Sequence, residues 1–183
     1  VSLLPTAKTL TRTSGRSWRV EAYTVGVEEE FQLVDPATGE LVSRARDVLS
    51  MDWSDEAEHE VQETQIEIGT RICGSAEEVD AELRRLRFQV ATAAAARDLA
   101  PVAAGLHPFA RWQEQEHTNA PRYHLLLDHY GRVLESEHVF GMHVHVAVPG
   151  DHDRMEVIGR IRPWLPHLLA LSASSPLFEG GDT

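Results

Sequence analysis

The chain has 183 residues, of which 42% are hydrophobic, and its formal charge is -12. This length and composition suit one globular domain that buries a single core. The negative charge argues against nucleic-acid and anionic-membrane partners, because those interfaces depend on Lys and Arg side chains.

The N-terminal segment differs in charge from the rest of the chain. Before Glu21 there are four basic residues and no acid, so we interpret residues 1–22 as a tail and residues 23–183 as the domain. Cys73 is the single cysteine, which excludes a disulfide framework and predicts a reducing, cytoplasmic compartment. The sequence has no apolar run of membrane-spanning length.

Residues 25–34 predict a β-strand that carries three consecutive glutamates. Because side chains alternate across a strand, Glu28 and Glu30 share one face, and Glu29 lies with apolar residues on the other. Taken alone, the acidic face could be either a solvated surface or part of a site. For Glu29 we expect an edge position or a buried salt bridge.

The pattern repeats in a second predicted strand, over residues 61–70. Glu63 and Glu67 share one of its faces, whereas Ile66 and Ile68 point the other way. The acidic residues 50–60, which precede this strand, lack periodicity and predict a loop.

A helix is predicted to begin at Ser75, which forms a capping box with Glu78, and to be ended by Pro101. The short apolar run at 102–106 predicts a buried strand. Residues 119–130 predict a further helix, with a proline in the first turn.

A third polar-faced strand is predicted over residues 139–148, with His143 and His145 on one face and apolar residues on the other. A second capping box at residues 153–156 predicts a helix through Ile161, and an apolar helix follows at 165–171.

Together the three strands predict an α+β fold, in which helices cover the apolar face of an antiparallel sheet and the ionisable face lines a cavity. Glu28 and Glu30 are roughly 6.5 to 7 Å apart along their strand, which suits one or two cations. His143 and His145 add imidazole nitrogens, which favours a divalent metal. A metal-dependent hydrolase fits these ligands but not the order of the strands.

Six segments resemble, in order, the type 2 glutamate-cysteine ligases, also called YbdK-like carboxylate-amine ligases. They are GVEEEFQLVD at 26–35, ETQIE at 63–67, GLHPFARW at 105–112, RY at 122–123, GMHVHV at 141–146 and LALSASSP at 169–176. The resemblance implies a glutamine synthetase-like fold whose concave acidic face binds ATP and two or three Mg²⁺ or Mn²⁺ ions. It also implies that ATP activates the γ-carboxylate of glutamate as a γ-glutamyl phosphate. The amine of cysteine, or another amine, then attacks this intermediate, a reaction of glutathione and thiol biosynthesis.

The resemblance also implies roles for individual residues. The implied metal ligands are Glu28, Glu30, Glu67 and His143; the implied catalytic residues are Glu67 and Arg122; and the implied cofactor contacts are Glu63 and His145. Arg122 would bind a substrate carboxylate through both guanidinium arms.

Two departures from the family pattern qualify these implications. Leu106 stands where the family usually has Thr, and family members continue into a later strand that supplies further site residues. We therefore expect residues 23–183 to be the N-terminal part of a catalytic domain that is incomplete alone, and that a homodimer or a second chain could complete. The alternative is a non-catalytic metal- or nucleotide-binding module of the same fold.

Overall fold

The computed structural model describes residues 23–149 and 154–182. The predicted tail at 1–22 and the first residue of the second capping box, Asp153, lie outside this range. The strands are β1 Thr24–Val34, β2 Ala57–His59, β3 Gln65–Gly69, β4 Ala100–Val102, β5 Met142–Ala147, β6 Leu177–Phe178 and β7 Gly181–Asp182.

Helices connect and flank these strands. They are α1 Ala45–Val48, α2 Ala76–Ala95, α3 Pro121–Tyr130, α4 Arg132–Glu135, α5 Arg154–Ile161 and α6 Leu165–Ser172, with 3₁₀ turns at Trp112–Glu114 and Arg162–Trp164. Within the described ranges, no helix is both long and apolar enough to cross a membrane. The cytoplasmic compartment stays a prediction.

The main sheet is organised around the 11-residue strand β1, which pairs antiparallel with β3, β4 and β5. β2 extends the sheet beyond β3, also antiparallel. In these ladders Glu30 lies opposite Glu67, Glu28 lies opposite His143, and Glu58 lies opposite Glu67. The three polar-faced strands predicted from the sequence are therefore neighbours in one sheet.

The hydrophobic core lies between one face of this sheet and α2. Its buried members include Phe31, Leu33, Ile66 and Ile68 from the strands and Leu86, Val90, Ala93 and Ala94 from α2. These strand residues belong to the predicted apolar faces, which confirms the alternation. The acidic face is thereby left on the opposite side of the sheet.

The predicted capping box begins α2. Ser75 Oγ accepts a hydrogen bond from the amide of Glu78 at 3.3 Å, and the Glu78 carboxylate accepts one from the amide of Gly74 at 3.0 Å. The helix ends at Ala95, so the prediction that Pro101 ends it was wrong. Pro101 instead belongs to β4, opposite Leu33.

Several strand positions also differ from the prediction. The strand expected at 61–70 is shorter, at Gln65–Gly69, so Glu63 lies before it and does not share a strand face with Glu67. The strand expected at 102–106 lies earlier, at Ala100–Val102, because its pairing with the end of β1 fixes its position. The acidic segment 50–60 contains β2, which pairing with β3 holds in place despite its weak local pattern.

The apolar face of β5 is not packed, contrary to the prediction that helices cover the whole apolar side. Met142, Val144 and Val146 are 50%, 61% and 52% exposed. Helix α2 covers β1 and β3 but leaves this strand open within the part of the chain that the structure describes.

Candidate metal centre

Three carboxylates converge on the acidic face of the sheet. Oxygen atoms of Glu30, Glu60 and Glu67 lie within 4.8 Å of one another, and all three residues are partly buried. β1 supplies Glu30 and β3 supplies Glu67 at directly opposite positions, while Glu60 follows β2. Pairing among three strands therefore brings together residues that are up to 37 positions apart, from Glu30 to Glu67.

The electrostatics of this cluster favour protonation. Burial raises the pKa of Glu67 to about 9, with further contributions from a hydrogen bond to Glu60 and from the charges of Glu60, Glu28 and Glu30. Burial also raises the pKa of Glu30, despite an opposing hydrogen bond from the amide of Gly141. Three adjacent half-buried carboxylates repel one another unless protons or a cation offset their charge.

The donor set fits a hard divalent cation. Carboxylate oxygens are preferred ligands of Mg²⁺ and Mn²⁺, and a cation among three of them would offset their negative charges. Glu30, Glu60 and Glu67 would hold such an ion, and the two predicted ligands among them, Glu30 and Glu67, lie together as expected.

The second predicted part of the site lies along β1 and β5. His145 Nε2 lies 2.9 Å from Glu28 Oε2, and His143 Nδ1 lies 3.4 Å from the same oxygen. Since an ionised carboxylate only accepts hydrogen bonds, His145 Nε2 donates in this contact. Glu28, His143 and His145 therefore form a mixed carboxylate and imidazole group next to the acidic cluster, and their roles toward a metal or cofactor stay predictions.

Gly141 orients the Glu30 side chain. Its amide donates a hydrogen bond of 2.5 Å to Glu30 Oε2, and its carbonyl accepts one of 3.0 Å from the Glu30 amide. A Cβ atom at position 141 would lie 3.6 Å from Glu30 Oε2 and 3.4 Å from His143 Nε2. The glycine thus keeps the backbone close to two predicted ligands without placing a side chain between them.

Glu29 faces away from the site and forms a buried salt bridge. Glu29 is only 3% exposed, whereas the Arg87 side chain is 47% exposed, and Arg87 of α2 donates from Nε and Nη2 to the two Glu29 oxygens, at 2.7 Å each. The salt-bridge alternative predicted for Glu29 is therefore confirmed, and the edge-position alternative is wrong.

Arg122 lies in the first turn of α3 and is exposed. Its guanidinium carbon lies 5.6 Å from the centre of the Tyr123 ring, and the Tyr123 hydroxyl donates to the carbonyl of His59. This contact ties α3 to the strand that leads into Glu60. The role of Arg122 toward a substrate carboxylate stays a prediction.

Glu63 engages Arg46 rather than the other predicted site residues. Arg46 Nη2 donates to Glu63 Oε1 at 3.0 Å, and the backbone of Glu63 bonds to Ala45 and Glu116. The Glu63 carboxylate thus connects the segment that precedes β3 to α1, and its predicted contact with a cofactor stays a prediction.

The sequence did not identify Glu60, because the segment 50–60 predicted a loop. The available signal was the two-residue spacing of Glu58 and Glu60 on either side of His59. In a short strand this spacing places both glutamates on one face. Because Glu58 pairs with Glu67, that face is the acidic one.

Comparison with known proteins identifies the family. The model of glutamate-cysteine ligase family 2 (GCS2) matches residues 24–183. The chain belongs to this family. The resemblance drawn from the six sequence segments is therefore confirmed.

Curated relatives are similar across most of the chain. A protein of Jannaschia sp. (strain CCS1), named "Putative glutamate--cysteine ligase 2", is 42% identical over 167 residues, which are 89% of this chain and 44% of the relative. A protein of Herpetosiphon aurantiacus with the same name is 37% identical over 164 residues, 88% of this chain and 43% of the relative. The chain thus spans less than half the length of these relatives.

Solved structures share the fold at low sequence identity. The glutamate-cysteine ligase of Francisella tularensis, crystallised with AMP, has a TM-score of 0.56 at 14% identity and covers 79% of this chain and 30% of its own. A bifunctional glutathione synthetase from Pasteurella multocida has a TM-score of 0.52 at 15% identity, covering 84% and 19%. The predicted α+β class, with an antiparallel sheet backed by helices, is therefore confirmed.

Proposed function

We propose that this protein acts as an ATP-dependent carboxylate-amine ligase, and specifically as a glutamate-cysteine ligase that forms γ-glutamylcysteine through a γ-glutamyl phosphate. The observation that carries the proposal is the convergence of Glu30, Glu60 and Glu67 on one face of the sheet in a member of this family. Glu28 and His143 extend the same face toward β5.

The chemistry of this reaction explains why such a face is needed. A substrate carboxylate and a triphosphate are both anionic, so their approach is unfavourable unless positive charge lies between them. A divalent cation would bind phosphate oxygens and offset the charge that builds up during transfer. The chain itself would hold Glu30 and Glu67 in place. The β1–β3 ladder positions both residues, and the Gly141 amide orients the Glu30 carboxylate. The two carboxylates would then move little when a cation binds.

ATP is the proposed phosphate donor, with Mg²⁺ or Mn²⁺ as the metal. The family and the AMP complex of the Francisella tularensis ligase, which has the same fold, support a nucleotide site. Glu63 and His145 are the proposed cofactor contacts. Arg122 is the proposed partner of the glutamate or amine substrate, because an exposed guanidinium can bind a carboxylate through two parallel hydrogen bonds.

ADP release tests the proposal, and it is measured on this chain together with the partner that completes the site, because the chain spans less than half the length of its relatives and is proposed to carry only part of the site. ADP should form only with glutamate, cysteine and a divalent cation together, and Glu30→Gln or Glu67→Gln should lower its rate at least about a hundredfold. Glu40→Gln, which makes the same charge change in an exposed turn, should leave the rate unchanged.

The alternatives give different results in the same assay. Nucleotide and Mn²⁺ binding without turnover would indicate the non-catalytic module, and amide cleavage without ATP would indicate a hydrolase. A second copy of the chain, or another polypeptide, is a further proposal for completing the site. Activity per chain that rises with protein concentration would support the homodimer.

A further inference from the structure

The middle residue of the glutamate run has a partner that the proposed reaction does not require. Glu29 lies between two proposed metal ligands, Glu28 and Glu30, but on the opposite face of β1, where it is 3% exposed. Arg87 of α2 meets it with two N–H groups at 2.7 Å each, one for each carboxylate oxygen. This fork fixes both the position and the orientation of the carboxylate.

Stability alone does not explain a charged pair at this position. The cross-strand neighbours of Glu29 are Ile68 and Met142, both apolar, so an apolar side chain would suit the same face. The Glu29 side chain is buried and the Arg87 side chain is 47% exposed. Replacing an ion pair with a buried member by well-packed apolar residues is often neutral or even stabilising. The Glu29–Arg87 pair therefore contributes more than buried surface. Its two parallel hydrogen bonds fix the relative orientation of the side chains, which an apolar pair cannot do.

That geometry bears directly on the acidic face. Adjacent residues of a strand point to opposite sides, so a rotation of β1 about its axis at Glu29 moves Glu28 and Glu30 together. A run of three identical side chains also gives no chemical distinction between the two faces. Arg87 distinguishes the two faces, because its guanidinium lies on the α2 side of the sheet and pairs with the glutamate that points there, Glu29.

We propose that the Glu29–Arg87 pair is a positioning device, which locks the rotation of β1 so that Glu28 and Glu30 present their carboxylates to a divalent cation. This inference rests on the proposed cation site. Glu29 and Arg87 act through the ligands and do not touch the metal. Helix α2, on the core side of the sheet, thereby contributes to metal binding on the other side.

The test measures Mn²⁺ affinity and thermal unfolding of the purified protein side by side. Arg87→Lys keeps the charge but loses the two-pronged fork. The double variant Glu29→Met with Arg87→Met replaces the pair by apolar residues and should unfold near the wild-type temperature. Both should weaken Mn²⁺ binding about tenfold, the usual effect of losing a group that orients a ligand, and both should alter the electron paramagnetic resonance spectrum of bound Mn²⁺.

Arg84→Lys is the matched control, because Arg84 lies on the same helix but pairs with exposed Asp80. It should bind Mn²⁺ like wild type. Wild-type affinity in both Arg87→Lys and the double variant would overturn the positioning role while leaving the cation site intact. If the unaltered protein itself binds no Mn²⁺, the cation site fails and the positioning role fails with it.

Discussion

Glu30 and Glu67 lie directly opposite each other in the β1–β3 ladder, and their carboxylates meet on the same face together with that of Glu60. Like charges at opposite positions of a ladder destabilise the sheet. The fold tolerates this arrangement in either of two ways, by protonation of the cluster or by a bound cation. Exchange between these two states governs how stability and metal binding depend on pH.

The first prediction concerns stability of the metal-free protein as pH changes. Folding raises the pKa of Glu67 from 4.5 to about 9, chiefly through burial, so the folded protein retains a proton that the unfolded chain releases. Stability is therefore highest below about pH 4.5 as far as this group is concerned, and it falls as pH rises toward 9. We expect Glu67→Gln to reduce that fall by at least about 1 kcal/mol, as measured by urea unfolding in chelator. Parallel pH profiles for the variant and wild type would contradict this prediction.

Metal binding should displace protons from the same cluster. Because its pKa is raised, Glu67 is still protonated at pH 7, and a cation must displace that proton. We therefore expect release of about one proton per Mn²⁺ bound, and tighter binding at higher pH. Calorimetric titration in two buffers of different ionisation enthalpy measures this number. Glu67→Gln should show neither the binding heat nor the proton release of this site, and Glu40→Gln should match wild type.

Glu63→Gln separates a structural role from the predicted cofactor contact. The Glu63 carboxylate is buried and accepts a hydrogen bond from Arg46, so we expect the variant to lose about 1 kcal/mol of unfolding free energy. Mn²⁺ affinity should not change, since Arg46 is the partner. A loss of ATP affinity at unchanged stability would instead support the cofactor contact.

His138 should make the protein sensitive to acid. The side chain is 6% exposed beside Phe140, and burial, with the nearby charge of His107, lowers the pKa of His138 to about 4. The unfolded chain takes up a proton near pH 6.5 and the folded chain does not, so stability falls as pH drops from 6.5 toward 4. The fall attributable to this residue is about 3 kcal/mol. In His138→Phe the decline over this window should be shallower, and an unchanged slope would exclude His138 as its source.

Much of the fold could be predicted from the alternation of polar and apolar residues along single strands. The separation of Glu28 and Glu30 from Glu29 needed only the two-residue period of a strand. The salt-bridge alternative for Glu29 followed from the cost of burying an unpaired carboxylate, but the edge alternative stayed open until the partner Arg87 was located. The start of α2 followed from local capping chemistry at Ser75 in the same way. Each of these features depends on residues that are close in sequence.

The features that the sequence did not predict depend on distant pairing. β2 has three residues and little pattern of its own, so its existence, and with it the position of Glu60, depends on the ladder with β3. The position of β4 is likewise set by the end of β1, not by its own apolar run. Alternation also placed Val144 on an apolar face correctly, but it could not show that α2 leaves this face exposed.

The most direct test of the proposed cation site is a crystal structure of the protein with Mn²⁺, using anomalous scattering to locate the ion. We predict a peak among the carboxylates of Glu30, Glu60 and Glu67, with each oxygen about 2.2 Å from the metal. The same experiment on Glu67→Gln should lose the peak. Crystals in millimolar Mn²⁺ that show no peak among these three residues, or a peak only elsewhere, would contradict the account.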